Sequence, residues 1–124
     1  MSTEKNFTVE QMKAALLAVQ DRITPAQMLM LKGHYGCRIA SMGQLADFGG
    51  YGHRYQVGNS QYGGLSGQIA EHLGFTPEGN WSKTFTIATA LHDQPDENGK
   101  AKWRLDEVVA TALEELGWVT RTAA

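Results

Sequence analysis

Eight glycines fall within the 26 residues from Gly49 to Gly74, "GGYGHRYQVGNSQYGGLSGQIAEHLG". The second half of this stretch still has helical spacing: Tyr62, Leu65, Ile69 and Leu73 step by three or four residues, and Gly74 supplies a stop. A glycine inside a helix costs about 1 kcal/mol relative to Ala, so a helix here has to gain something from the missing Cβ atoms. The gain is close approach, either to a neighbouring helix or to an external backbone such as a phosphate strand. Gly58, Gly63 and Gly67 read as one smooth face open to either partner. Tyr51 to Val57 belong to the same helix or to a separate helical turn, with Gly58-Asn59 as the candidate break.

Around this stretch the start and stop signals are clear. Thr8-Val9-Glu10-Gln11, Thr24-Pro25-Ala26-Gln27 and Ser41-Met42-Gly43-Gln44 each read as a capping box opening a helix, the second with Pro at the first helical position. Val9, Met12, Ala15, Leu16 and Val19 line the first helix; Met28, Leu31 and Tyr35 line the second, which Gly33 and Gly36 should end. Leu45, Ala46 and Phe48 make a short third helix stopped by Gly49-Gly50. The period then changes to two. Phe85, Ile87, Thr89 and Leu91 alternate with Thr84, Thr86, Ala88 and Ala90, which predicts a strand over 84–91. "DQPDENGK" with its Asn98-Gly99 signal is the reversal and "AKWRL" the returning strand, on which Trp103 shares a face with Leu105 and should be largely buried. Asp106 should cap a last helix, ended by Gly117, with Trp118 folding back and largely buried.

A short helix, a glycine turn, a longer helix and a hairpin form the order of a winged helix-turn-helix, with spacing off by about one residue. The expected fold class is therefore mainly α with a β-hairpin (α+β), a winged helix-turn-helix-like single domain. It spans 8–119, between a flexible 1–7 and a 120–124 tail.

With 124 residues, 42% of them hydrophobic, the chain can bury a core. Its net charge of −2 excludes a strongly basic nucleic-acid binder but leaves room for a local basic face. A single cysteine, no signal-peptide pattern and no apolar run of membrane-spanning length lead to the expectation of a soluble cytoplasmic protein with no membrane partner. His34 and Cys37 lack the second closely spaced pair a zinc site needs, so no metal is expected; Cys37 reads as a buried structural thiol, and His34, His53, His72 and His92 as surface or capping residues. Gly49-Gly50-Tyr51-Gly52 and Gly63-Gly64 do not follow a strand, which argues against a nucleotide-binding loop. No catalytic constellation and no cofactor motif is present; the expectation is a protein that is not an enzyme.

The candidate binding residues are concentrated. His53, Arg54, Gln56, Asn59, Ser60 and Gln61 are side chains that donate to phosphates or read base edges, and Tyr55 among them can stack on a base. Arg38, Lys83 and Lys102 add phosphate contacts, with Lys100 and Arg104 on the hairpin, while Asp93, Asp96 and Glu97 oppose them at its tip. Duplex DNA is the expected partner. A protein partner on a Tyr/Gly-rich surface, as for an adaptor or phage-encoded inhibitor, is the alternative, and a solvated polar face with tyrosines half in the core is the plain structural one.

One pattern connects these stretches. Leu45-Ala46, Gly50-Tyr51, Tyr55, Val57, Asn59, Tyr62-Gly63 and Leu65, then Trp103, Ala112-Leu113 and Leu116 to Val119, resemble a small domain of bacterial defence proteins. That domain is found alone or beside HNH nuclease domains in predicted 5-methylcytosine-type restriction proteins. The resemblance covers residues 23–119 and departs at Gly58 and at the extra Gly64. It implies a winged-helix-like, DNA-binding module in a restriction or phage-defence setting. No nuclease motif is present here, so it implies no catalysis.

Overall fold

A computed structural model describes residues 5–76, 83–97 and 99–120. All three predicted capping boxes form. Thr8, Thr24 and Ser41 each accept from the backbone N–H three residues on, and Gln11, Gln27 and Gln44 each return a side-chain bond. They open helices α1 (Val9–Val19), α2 (Pro25–Cys37) and α3 (Met42–Phe48). A 3-10 turn, Gln20–Arg22, leads from α1 toward α2.

The second glycine-rich half and part of the first are one continuous helix, α4 (Tyr55–Leu73), closed by Gly74 at φ +68°. Gly58-Asn59 does not break it. Gly33 and Gly36 do not end α2 either. Gly33 is the seat of the Phe48 ring, and the residue that turns the chain out of α2 is Arg38 at φ +68°. A side chain in that conformation is held by its contacts. Arg38 Nε donates to Tyr35 O at 2.8 Å, its guanidinium lies over the Tyr35 ring, and Leu105 N donates to Arg38 O.

Three strands form an antiparallel sheet in the order β1-β3-β2: β1 (Ile39–Ala40), β2 (Ala88–Pro95) and β3 (Ala101–Leu105). Trp103 is the centre of the inner face, flanked by Ala40 on one side and Ala90 on the other. Two small neighbours leave room for the indole, which is buried as predicted. The expected strand over 84–91 is displaced: Lys83–Thr86 is a 3-10 turn and β2 runs on through Pro95. Thr84, Thr86 and Ile87 are all fully buried. Packing this turn against α4 buries both parities of the pattern, which a strand with one solvated face cannot do. The reversal uses Asp96 to Lys100, with Gly99 at φ +72° and Asp96 Oδ1 accepting from Lys100 N; Asn98 lies outside the described residues.

Helix α5 (Glu107–Glu115) closes the core against α1. Asp106 sits at its N-cap position, but its side chain makes no capping bond. Its carboxylate instead takes Lys5 Nζ at 2.8 Å and Thr89 Oγ1 at 2.8 Å. Lys5 also donates to Ala88 O, and Phe7 packs edge-on against Phe75, so residues 5–7, read from sequence as a flexible start, are tied to the rest of the fold. Gly117 turns the chain and Trp118 N bonds back to Leu113 O, but Trp118 is half-buried rather than enclosed, since it lies at the edge of the core. Among the described residues no helix is long and apolar enough to cross a membrane.

Candidate nucleic-acid interface

Helix α4 has two sides with different duties. On its inner side Tyr62, Leu65 and Ile69 are fully buried. Tyr62 donates to His34 Nδ1 at 2.8 Å, because His34 Nε2 is the donor to Trp103 O at 2.9 Å. Burial holds the His34 pKa down to about 4 and raises that of Tyr62. His34 is therefore a neutral linchpin between α2, α4 and the sheet, and not the surface residue its sequence position suggests. At the α3 crossing Gly58 is buried: a Cβ there would stand 2.1 Å from Met42 O.

The outer side runs through Gln56, Ser60, Gly63, Gly67 and Glu71, with Asn59 and Gly64 flanking it. Gln56, Asn59, Ser60, Gly64 and Glu71 are exposed. At about 100° per residue, Gly58 and Gly67 face opposite ways, so the three glycines do not form one face. A Cβ on Gly63 would meet no atom within 4 Å, and one on Gly64 would meet only Gln27 Nε2 at 3.7 Å. Gly67 is covered by the stem of Lys83, whose Cδ would lie 2.9 Å from a Cβ. The outer face is thus shallow and carries no charged side chain from Gln56 to Gly67, with Arg54 at its start, Lys83 about 20 Å along it at 1.5 Å rise per residue, and the acidic Glu71 beyond.

The predicted site residues divide accordingly. Arg54, at the N-cap position of α4, is exposed and its side chain has no partner among the described residues. Gln56, Asn59 and Ser60 are exposed beside it. Gln61 is half-buried and its backbone O accepts from Gln27 Nε2. Tyr55 is half-buried, with Lys100 Nζ 6.0 Å from its ring centre. Lys102 and Arg104 point to the outer face of the sheet, opposite Leu91 and beside Thr89 and Ile39. Arg38 is taken by intramolecular partners: Glu107 at 3.0 Å, Glu114 at 3.9 Å and the Tyr35 ring. The tyrosines are not a surface. Tyr35 and Tyr62 are buried, and Tyr51 and Tyr55 half-buried.

His53 is the other committed side chain. Its Nδ1 meets Asp47 Oδ2 at 2.9 Å and its Nε2 meets Glu97 at the hairpin tip. Both ring nitrogens can donate only in the imidazolium form, and the two carboxylates, Asp47 foremost, raise the His53 pKa. The Glu97 pKa is lowered by its own backbone N–H and by His53. The ring rests on Gly43, where a Cβ would stand 2.5 Å from Nε2. Sequence reasoning missed Asp47 altogether, because its partner His53 lies beyond the Gly49–Gly52 turn and meets it only through the packing of that turn onto α3. Cys37 proves exposed, at the last position of α2, where the chain turns outward at Arg38. Among the described residues no group of three or more His, Cys, Asp or Glu could hold a metal ion.

Compared with known proteins, the chain matches no family model, no curated protein and no solved structure.

Proposed function

We propose that the chain is a non-catalytic, cytoplasmic DNA-binding module of winged helix-turn-helix type, in which α3 and α4 form the helix pair and the β2–β3 hairpin the wing. The order α2, β1, α3, α4, hairpin, with the returning strand of the wing pairing to β1, supports this reading of the fold. The observation that carries the function is the outer face of α4. Gln56, Asn59 and Ser60 are amide and hydroxyl groups suited to base edges, and Arg54 is an uncommitted cation beside them. Gly63 and Gly64 lower the helix surface where nothing inside the molecule needs it lowered. A phosphate strand could approach there closely. A restriction or phage-defence setting follows from the sequence resemblance alone.

The test is a mobility-shift titration on plain and 5-methylcytosine duplexes at two salt concentrations. Arg54→Ala should weaken binding to every duplex and reduce the salt slope by about one unit if Arg54 holds a phosphate. A loss of about 1–3 kcal/mol confined to some sequences would make it a base reader. Wild-type protein with no salt-dependent binding to any duplex ends the proposal.

A second reading has its own observation. Leu29 is 54% exposed on α2 and Phe48 is 36% exposed with its ring over Gly33, one turn from Leu29. This apolar pair, not the tyrosines, is the surface a protein partner would use.

A further inference from the structure

The exposed row of α4 has a chemistry as well as a shape. Gln56, Asn59 and Ser60 are exposed, and their side chains have no hydrogen-bond partner among the described residues. Asn59 and Ser60 stand three and four residues on from Gln56, so their Cβ atoms lie about 5–6 Å from that of Gln56 in one patch of the helix surface. From Gln56 to Gly67 the helix carries no charged side chain, and two uncommitted cations bracket that span. Arg54 precedes it. Lys83, exposed and without an ion-pair partner among the described residues, covers Gly67 at its far end. The DNA major groove has the complementary arrangement, a floor of uncharged base edges about 12 Å wide between two phosphate walls. The cations are about 20 Å apart along the helix axis, so a helix laid obliquely on that floor brings one of them to each wall.

The side chains in the row discriminate among bases. A primary amide offers an acceptor and a donor side by side, and adenine presents the matching pair, its N6 amino donor and N7 acceptor. Guanine presents two acceptors, which call for Arg or Lys, and cytosine an amino donor, which calls for a carboxylate. The row between Gln56 and Gly67 holds neither kind of group. Gln56 and Asn59 are about 4.5 Å apart along the axis, between one and two base-pair steps of 3.4 Å.

We propose that the outer face of α4 reads adenine in the major groove, with the amides of Gln56 and Asn59 each paired to N6 and N7 of one of two adjacent or next-adjacent adenines and Arg54 and Lys83 on the flanking phosphates. The proposal rests on the nucleic-acid reading above and gives it a substrate class: duplex DNA chosen by its A·T pairs and not by a modified cytosine.

The experiment lets the full chain select from a library of duplexes with a random central segment, and the retained DNA is sequenced. Two adenines at the stated spacing should be enriched. The enriched duplex is then remade with 7-deazaadenine at each position, which deletes N7 and leaves the Watson–Crick pair and the minor-groove edge in place. Each replacement should weaken binding, followed by fluorescence anisotropy, about tenfold. Gln56→Ala and Asn59→Ala should each lose sensitivity to the replacement at one position and keep it at the other. Both side chains are exposed and unpartnered, so the variants should melt like wild type. Selection of guanine or cytosine, or binding with no selection, overturns the adenine reading and leaves DNA binding standing. An A·T preference that is indifferent to 7-deazaadenine is a response to groove shape and overturns it too. Wild-type sensitivity in both alanine variants overturns the assignment to Gln56 and Asn59. A wild-type chain with no salt-dependent binding to any duplex overturns this proposal together with the nucleic-acid reading.

Discussion

Gly58 and Gly63 sit five residues apart on one helix, and the structure treats them in opposite ways. Gly58 is pressed against the Met42 carbonyl, so its missing Cβ is what lets α3 and α4 cross. Gly63 faces open space. One glycine is required by the fold and the other is tolerated against the helix's own interest. A glycine with no internal reason is a place to look for an external one, and that difference separates the packing side of α4 from its candidate reading side.

Gly58→Ala should produce the largest effect. A methyl group 2.1 Å from a backbone oxygen has no flexible neighbour to displace, so α3 and α4 must separate. We expect a loss of about 3 kcal/mol or more in urea unfolding, well beyond the helix-propensity gain of Ala. A variant as stable as wild type would show that the crossing is not tight and that the two glycines are alike.

The next effect is acid lability of the inner side. The His34 pKa is about 4 when folded, against 6.5 for the unfolded side chain, so the unfolded chain binds the proton first as pH falls. Stability therefore drops between pH 6.5 and 4, by up to about 3 kcal/mol from this residue. An imidazole NMR titration of His34 with a midpoint near 6.5 would refute the buried, neutral assignment.

On the outer side the sign reverses. Gly63→Ala should raise stability by up to about 1 kcal/mol, since the new methyl meets nothing and the helix gains propensity. If a duplex backbone approaches there, the same substitution weakens DNA binding while melting shifts upward. Added stability with unchanged binding would remove Gly63 from the interface.

His53 gives the smallest effect, and it runs opposite to His34. Its folded pKa is raised, so its contribution is fully present below the unfolded value of 6.5 and disappears as pH rises through the folded pKa. In a pH series His53→Gln should abolish that component and leave the His34 component intact.

Much of the architecture was legible because it is encoded locally. A threonine or serine followed three residues later by glutamine satisfies the first amide groups of a helix without tertiary help, and all three such boxes formed. Gly74 and Gly117 turn the chain at positive φ as expected. Locally plausible readings failed where a distant group competed. Asp106 gives its carboxylate to Lys5 and Thr89 instead of capping α5, and the alternation at Thr84, Phe85 and Thr86 is spent on a 3-10 turn against α4.

Residue order alone is enough to say where the capped helices begin, that Gly74 and Gly117 stop two of them, that a hairpin follows α4 and that Trp103 is buried. These follow from hydrogen-bonding geometry and hydrophobic period within a few residues. Packing was needed to settle which glycine faces the Met42 carbonyl, that Arg38 is spent on Glu107 and Glu114, and that His53 joins Asp47 to Glu97. His53 and Glu97 are 44 residues apart, and such a pairing exists only once α3, α4 and the hairpin have packed. Neighbours in the chain bias a residue's dihedral angles; which side chains meet depends on how the whole chain shares one core.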